Sequence, residues 1–69
     1  MREFRVLHIK TKLGKILLIP SHNINYVEEI ENAHSRIYYF DKVIDIDRDI
    51  DWMRKFLIKG YDESTANEI

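Results

Sequence analysis

The chain has 69 residues, a formal net charge of −1 and no cysteine. This length gives one domain with a small core, and the missing cysteines exclude disulfides and thiolate metal sites. The nearly balanced charge gives no overall attraction to nucleic acid or to a membrane surface. Because domains of this size usually need a further source of stability, the sequence favours association between copies of the chain.

Five short strands are predicted in chain order. Residues 4–10 form the first strand, and Gly14 supplies the positive φ of the turn that follows. Residues 15–19 form the second strand, which Pro20 ends because proline has no N–H to donate. The remaining strands are bounded by polar turn residues and cover residues 25–31, 36–40 and 43–46.

A single amphipathic helix is predicted after the strands, starting near Asp47 or Asp49 and ending at about Lys59. Its apolar stripe consists of Ile50, Met53 and Leu57, with Trp52 and Phe56 beside it. The fold class is therefore α+β: a small antiparallel sheet of about five strands followed by one C-terminal helix. Residues 1–60 form the domain, and the polar residues 61–69 are expected to form a flexible tail.

The second and fourth strands carry large apolar side chains on both faces, which one short helix covers on one face only. An uncovered apolar patch of this kind usually marks an interface. The expected interface residues are Ile16, Leu17, Leu18, Tyr38 and Phe40. We expect a second copy of the chain, or another protein, to cover them.

Acidic and nucleophilic motifs do not form a catalytic or metal site in this sequence. The alternating acids from Asp45 to Asp51 lack the glycine and the glutamate that a calcium-binding loop requires, and they are typical of a strand leading into a helix cap. Ser21-His22 has no orienting acid, and the adjacent Glu28 and Glu29 point to opposite faces of a strand. We expect no enzyme activity, no metal and no cofactor.

A basic N-terminal edge leaves two other functions open. The tyrosines and the cations could bind nucleic acid, or an oligomer could hold a small anion or nucleotide between subunits. The residues expected to make such contacts are Arg2, Arg5, Lys10, Lys12, Lys15 and Tyr26.

The order of short motifs resembles the small flagellar-operon proteins of the FlbD type, over roughly residues 4–58. The matching segments are Gly14 to Pro20, Ile24 to Glu28, Ser35 to Tyr38, Asp41-Lys42 and the acid-capped helix. The segment from Ile19-Pro20 to Glu28 is also similar to the start of the LytTR DNA-binding domain. The resemblance implies a small β-sheet domain with a terminal helix and no catalytic residues. DNA binding is not implied, because residues 28–31 are acidic where phosphates would be repelled.

The sequence therefore predicts a non-enzymatic binding or assembly module that forms homo-oligomers, such as a phage or regulatory accessory protein. No apolar run approaches the about 20 residues of a membrane span. The first residues also lack the hydrophobic stretch of a signal peptide, so a cytoplasmic location is expected.

Overall fold

The computed structural model describes residues 5–59 and 65–69. These residues form a small α+β domain with six strands in two three-stranded sheets and one helix. The prediction of a mostly antiparallel sheet with one helix is confirmed at this level. The prediction of five strands and a C-terminal helix is wrong, because a sixth strand follows the helix.

The first sheet contains β1 (Val6–Lys10), β2 (Ile16–Pro20) and β6 (Thr65–Asn67), in the order β2-β1-β6. β1 and β2 form an antiparallel hairpin whose turn is closed by the Gly14 N–H, which donates to the Thr11 carbonyl at 2.9 Å. Gly14 has a φ of +81°, a conformation that glycine adopts without strain. β6 pairs with β1 in parallel, so the sheet joins the two ends of the chain.

The second sheet is an antiparallel meander of β3 (Ile24–Ile30), β4 (His34–Tyr39) and β5 (Lys42–Ile46). Short 3₁₀ turns at Ser21–Asn23 and Glu31–Ala33 precede β3 and β4. The pairing register shifts between Ile24 and Tyr26, which places an irregularity at the start of β3.

The helix α1 (Ile50–Ile58) begins at Asp49, whose carboxylate accepts a hydrogen bond from the Trp52 N–H at 2.8 Å. Asp49 is therefore the N-cap, and the alternative start at Asp47 is wrong. Met53 and Phe56 are fully buried, whereas Leu57 is exposed. The buried face of α1 is thus centred on Met53 and Phe56, and Leu57 of the predicted stripe does not belong to it.

The core lies between the inner faces of the two sheets and α1. Its apolar members alternate along the strands, as half-buried strands require. They are Leu7, Ile9, Ile19, Ile37, Tyr39, Ile44, Ile46, Met53, Phe56 and Ala66. In β5, Ile44 and Ile46 are buried and Val43 is exposed.

The C-terminal residues contribute to the core, in contrast to the flexible tail expected there. Ala66 is fully buried in β6, and the Asp47 N–H donates to the Asn67 carbonyl at 3.0 Å. The Ile69 N–H donates to the Asp45 carbonyl at 3.2 Å, which links the first sheet to β5. The expected boundary at residue 60 and the tail residues 61–64 lie outside the described residues.

Candidate interaction surface

The outer face of the second sheet carries a row of exposed aromatic and aliphatic side chains. The strand register places Tyr26 opposite Tyr38, and Tyr38 opposite Val43. The two tyrosine rings stack with their centroids 4.2 Å apart. Tyr26 is 60% exposed, Val43 53% and Phe40 66%. We call Tyr26, Tyr38, Val43 and Phe40 the tyrosine face.

A shallow depression of about 310 Å³ lies within the tyrosine face, with Asn25, Asp41 and Lys42 completing its wall. Aromatic rings flanked by polar side chains are typical of the centre and rim of protein interfaces. The tyrosine face thus combines aromatic rings at its centre with polar side chains at its rim.

Phe40 occupies the turn between β4 and β5, not a strand as the sequence predicted. Its φ is +52°, at the first central position of a two-residue hairpin turn. Glycine is favoured there, and a bulky residue with positive φ is strained. The strained turn holds the Phe40 ring in an exposed position, 6.3 Å from the Tyr39 ring and roughly edge-on to it.

The next row of the same sheet is charged and holds the tyrosine face in place. Arg36 donates to both carboxylate oxygens of Asp45, at 2.7 and 3.0 Å. The Tyr38 hydroxyl donates to Glu28 Oε1 at 2.9 Å. The register sets Glu28, Arg36 and Asp45 side by side across the three strands, so each acid lies beside the cation.

These contacts shift the proton affinities of the groups involved. The hydrogen bond from Arg36 lowers the pKa of Asp45, and Asp45 in turn raises the pKa of Arg36. The hydrogen bond to Glu28 raises the pKa of Tyr38 above 10.0. Tyr38 is therefore a neutral hydrogen-bond donor near neutral pH, and its ring is fixed from one side by Glu28.

The outer side of β2 is a second exposed apolar surface. Ile16 is 62% exposed and Leu18 is 55% exposed, while Leu17 packs against the core and Ile19 is buried within it. The sequence predicted that β2 would be covered on both sides. Within the described residues, only its inner side is covered.

The five residues predicted at the interface therefore lie on two separate sheets. Ile16, Leu17 and Leu18 belong to β2, Tyr38 belongs to β4, and Phe40 follows β4. The sequence predicted one continuous sheet. It did not identify Tyr26 and Val43 as the neighbours of Tyr38 on the adjoining strands. The alternation of outward residues in the predicted strands was the signal that could have found this row.

The residues predicted to contact an anion or nucleic acid are dispersed. Lys10, Lys12 and Lys15 are exposed on the first sheet and its turn, whereas Tyr26 lies on the second sheet. Arg5 donates to the Leu57 and Ile58 carbonyls at 3.4 and 3.3 Å, so its side chain caps the end of α1. Arg2 lies outside the described residues.

The junction between β5 and α1 holds the C-terminal strand. Asp47 accepts hydrogen bonds from the Asn67 N–H at 2.9 Å and from Asn67 Nδ2 at 3.2 Å. Burial opposes ionisation of Asp47, but the two hydrogen bonds outweigh it and lower the pKa of Asp47. Arg48 lies over the Trp52 ring at 5.0 Å and donates to the Thr65 carbonyl. One of the acids between β5 and α1 thus anchors β6.

Among residues 5–59 and 65–69, no group of three or more histidine or carboxylate side chains is placed to hold a metal ion. In the same part of the chain, no helix is long and apolar enough to cross a membrane.

The fold and surface define a small two-sheet α+β domain with exposed apolar side chains on both sheets. No family model, curated protein or solved structure matches the chain. The resemblance to the flagellar-operon proteins and to the LytTR domain stays a prediction.

Proposed function

We propose that this protein is a non-enzymatic assembly module that associates with copies of itself through its exposed apolar surfaces. The observation that carries the proposal is the exposure of five large apolar side chains on the outer sides of the two sheets and the β4–β5 turn: Ile16, Leu18, Tyr26, Phe40 and Val43. Exposed apolar patches usually mark interaction sites, and these side chains form two patches, one on each sheet. Full burial of one such aliphatic side chain stabilises a complex by about 1.5–3 kcal/mol before the costs of association.

Phe40 gives the sharpest test because its replacement by glycine should not destabilise the monomer but should weaken assembly. Phe40→Gly removes an exposed ring and also relieves the positive-φ strain of the turn. We expect the melting temperature of the monomer to stay the same or rise, and self-association to weaken. Light scattering measures the mass, and circular dichroism measures the melting temperature.

The matched control is Ile58→Ser, because Ile58 is an exposed aliphatic side chain on α1 and belongs to neither sheet. This control should assemble like the wild type. Assembly by Phe40→Gly at wild-type strength, together with assembly by a Leu18→Asp variant at wild-type strength, would exclude both surfaces and overturn the proposal.

A nucleic-acid function has one observation in its favour, which is that residues 5–20 hold Arg5, Lys10, Lys12 and Lys15 and no acid. Two placements weigh against it. Arg5 donates to a carbonyl at the end of α1, and Tyr26 lies on the other sheet, in the same strand as the acidic Glu28. The test is a mobility-shift titration with single- and double-stranded DNA and RNA at low salt. Binding that weakens steeply as salt rises would favour this function, and no shift at micromolar protein would exclude it. Thermal melts with a panel of nucleotides test capture of a small anion between subunits, because a ligand that binds only the folded state raises the melting temperature.

A further inference from the structure

The domain has two open sheet edges, which are formed by β2 and β3. Within the described residues, each of these strands pairs on one side only, whereas the other two outer strands, β5 and β6, are joined by the bridge between Ile46 and Glu68 and by the hydrogen bond from the Asp47 N–H to the Asn67 carbonyl. β2 and β3 are not hydrogen-bonded to each other. An open edge presents unpaired backbone donors and acceptors to any extended chain that fits it. The two edges are therefore candidate contact sites in addition to the exposed side chains.

The hydrogen-bond pattern shows which β2 residues face its open edge. The Ser21 N–H donates to the Arg5 carbonyl at 2.7 Å, and the Thr11 N–H donates to the Lys15 carbonyl at 2.8 Å. Antiparallel pairs alternate between bonded and non-bonded, so between these two bonds Leu17 and Ile19 bond to β1. The backbone groups of Ile16 and Leu18 point to the open edge, and their side chains are exposed beside it.

The edge of β2 lacks the usual protection against pairing with another chain. Natural edge strands carry charges, prolines or bulges that prevent this. Residues 16–19 are four consecutive apolar residues, and Pro20 blocks only the last position of the strand. The five-residue edge is thus suited to accept one strand of similar length.

The charges on the two edges are complementary. Residues 5–20 hold four cationic side chains and no acid; Arg5 binds the end of α1, while Lys10 lies opposite Ile16 and Lys15 directly precedes β2. Residues 24–31, which cover β3, hold Glu28, Glu29 and Glu31 and no lysine or arginine. The three glutamates are exposed, as are Lys10 and Lys15, whereas Lys12 lies on the β6 side of β1, where its N–H donates to the Glu68 carboxylate. Pairing of β2 with β2, or of β3 with β3, would bring like charges together, whereas pairing of β2 with β3 brings opposite charges together.

We propose that copies of this chain associate head to tail, with the basic β2 edge of one copy pairing with the acidic β3 edge of the next. This inference rests on the proposed self-assembly and specifies how the copies meet. Each copy uses both of its edges, so the assembly is a ring where the rotation between neighbours closes and a filament where it does not. Ile16 and Leu18 of one copy then lie beside the strand that carries Tyr26 in the next.

Two charge-reversal variants test the pairing. The first is Lys10→Glu with Lys15→Glu, which makes the β2 side acidic. The second is Glu29→Lys with Glu31→Lys, which makes the β3 side basic and leaves Glu28 bonded to Tyr38. Each variant alone should associate about tenfold more weakly than the wild type, or worse, because its two edges now repel. An equimolar mixture should associate again, because every contact in an alternating assembly is between opposite charges.

The control is Lys55→Glu with Lys59→Glu, which reverses two exposed lysines at the end of α1 and leaves both sheets unchanged. It should keep the wild-type mass. Circular dichroism melts establish that each variant is folded, and light scattering gives the masses at low and moderate salt. Recovery of mass on mixing supports head-to-tail pairing.

The outcomes separate this inference from the proposed function. Head-to-tail pairing is overturned if the Glu29→Lys, Glu31→Lys variant alone keeps the wild-type mass, or if the two folded variants do not associate on mixing. Neither outcome contradicts self-assembly itself. A monomeric wild type at all concentrations overturns both.

Discussion

The two sheets of this domain are built from very different stretches of chain. The second sheet is a meander in which β3, β4 and β5 follow one another and pair with their neighbours in sequence. The first sheet needs β6, which arrives from the end of the chain and pairs in parallel with β1. Local pairing requires closure of short loops only, whereas pairing of β6 with β1 closes a loop that contains the whole second sheet and α1.

The difference extends to the outer surfaces. The hairpin of the first sheet is basic with an aliphatic edge, and the first strand of the second sheet is acidic with an aromatic face. The second sheet thus consists of strands that pair with their neighbours in sequence. The first sheet depends on long-range contacts of β6 made by Asp47, Arg48 and Ala66. Four substitutions test this comparison in order of decreasing effect.

The largest effect is expected from Phe56→Ala, since Phe56 is fully buried where α1 meets the core. The cavity should lower the free energy of unfolding by about 3–5 kcal/mol, which approaches the whole stability of a small domain. Both sheets should therefore unfold together in thermal and urea melts followed by circular dichroism. Ile58→Ala, at an exposed position of the same helix, should change little. A Phe56→Ala variant with a near-wild-type melting temperature would place the core elsewhere.

Ala66→Leu should separate the two sheets. The added side chain overpacks a fully buried site in β6 and should cost about 1–3 kcal/mol. Hydrogen exchange should accelerate at β1 and β6, while the amides of β4 and β5 stay protected. Thr65→Leu, at the exposed neighbouring position, is the control. Equal acceleration in both sheets would show that β6 is not an independently opening unit.

Asp47→Ala should weaken the anchor of β6 by about 1–2 kcal/mol, through loss of the hydrogen bonds from Asn67. Because the folded-state pKa of Asp47 is lowered, its stabilising effect is complete above the ordinary pKa of 3.8 and is lost as pH falls through the lower folded value. The difference in the free energy of unfolding between wild type and variant, measured by urea melts, should therefore decrease in acid. Asp41→Ala is the control. A difference in the free energy of unfolding that increases as pH falls would contradict the anchoring of β6 by ionised Asp47.

The smallest effect is expected at Tyr38. Glu28→Gln replaces the charged acceptor of the Tyr38 hydroxyl, so the pKa of Tyr38 should fall towards 10.0 with little change in stability. NMR titration of the tyrosine ring signals measures this shift. Glu29→Gln should leave the Tyr38 titration unchanged. Identical Tyr38 titrations in wild type and Glu28→Gln would mean that Glu28 does not hold the ring.

The second sheet could be predicted from sequence because its signals are local. Ile37 and Tyr39 alternate with outward residues, Ile44 and Ile46 do the same, and the acid-rich junction marks the helix start. β6 could not be predicted because Thr65-Ala66-Asn67 is short and polar, and its strand conformation comes from pairing with β1 and from Asp47. Phe40 was assigned to a strand because its propensity suits one, and the turn imposed the positive φ instead.

The candidate surface was predictable only in part. Exposed Ile16, Leu18 and Phe40 follow from a count of apolar residues that one helix cannot cover. Their division between two sheets, and the row of Tyr26, Tyr38 and Val43, depend on strand order and register, which a single sequence does not specify.

The most direct measurement of self-assembly is the mass of the wild-type protein in solution, by light scattering over a range of concentrations and salt. We predict a species larger than a monomer that dissociates on dilution and is weakened by salt, because both apolar and opposite-charge contacts hold the copies together. A monomer at every concentration, with both apolar surfaces exposed to solvent, would contradict self-assembly.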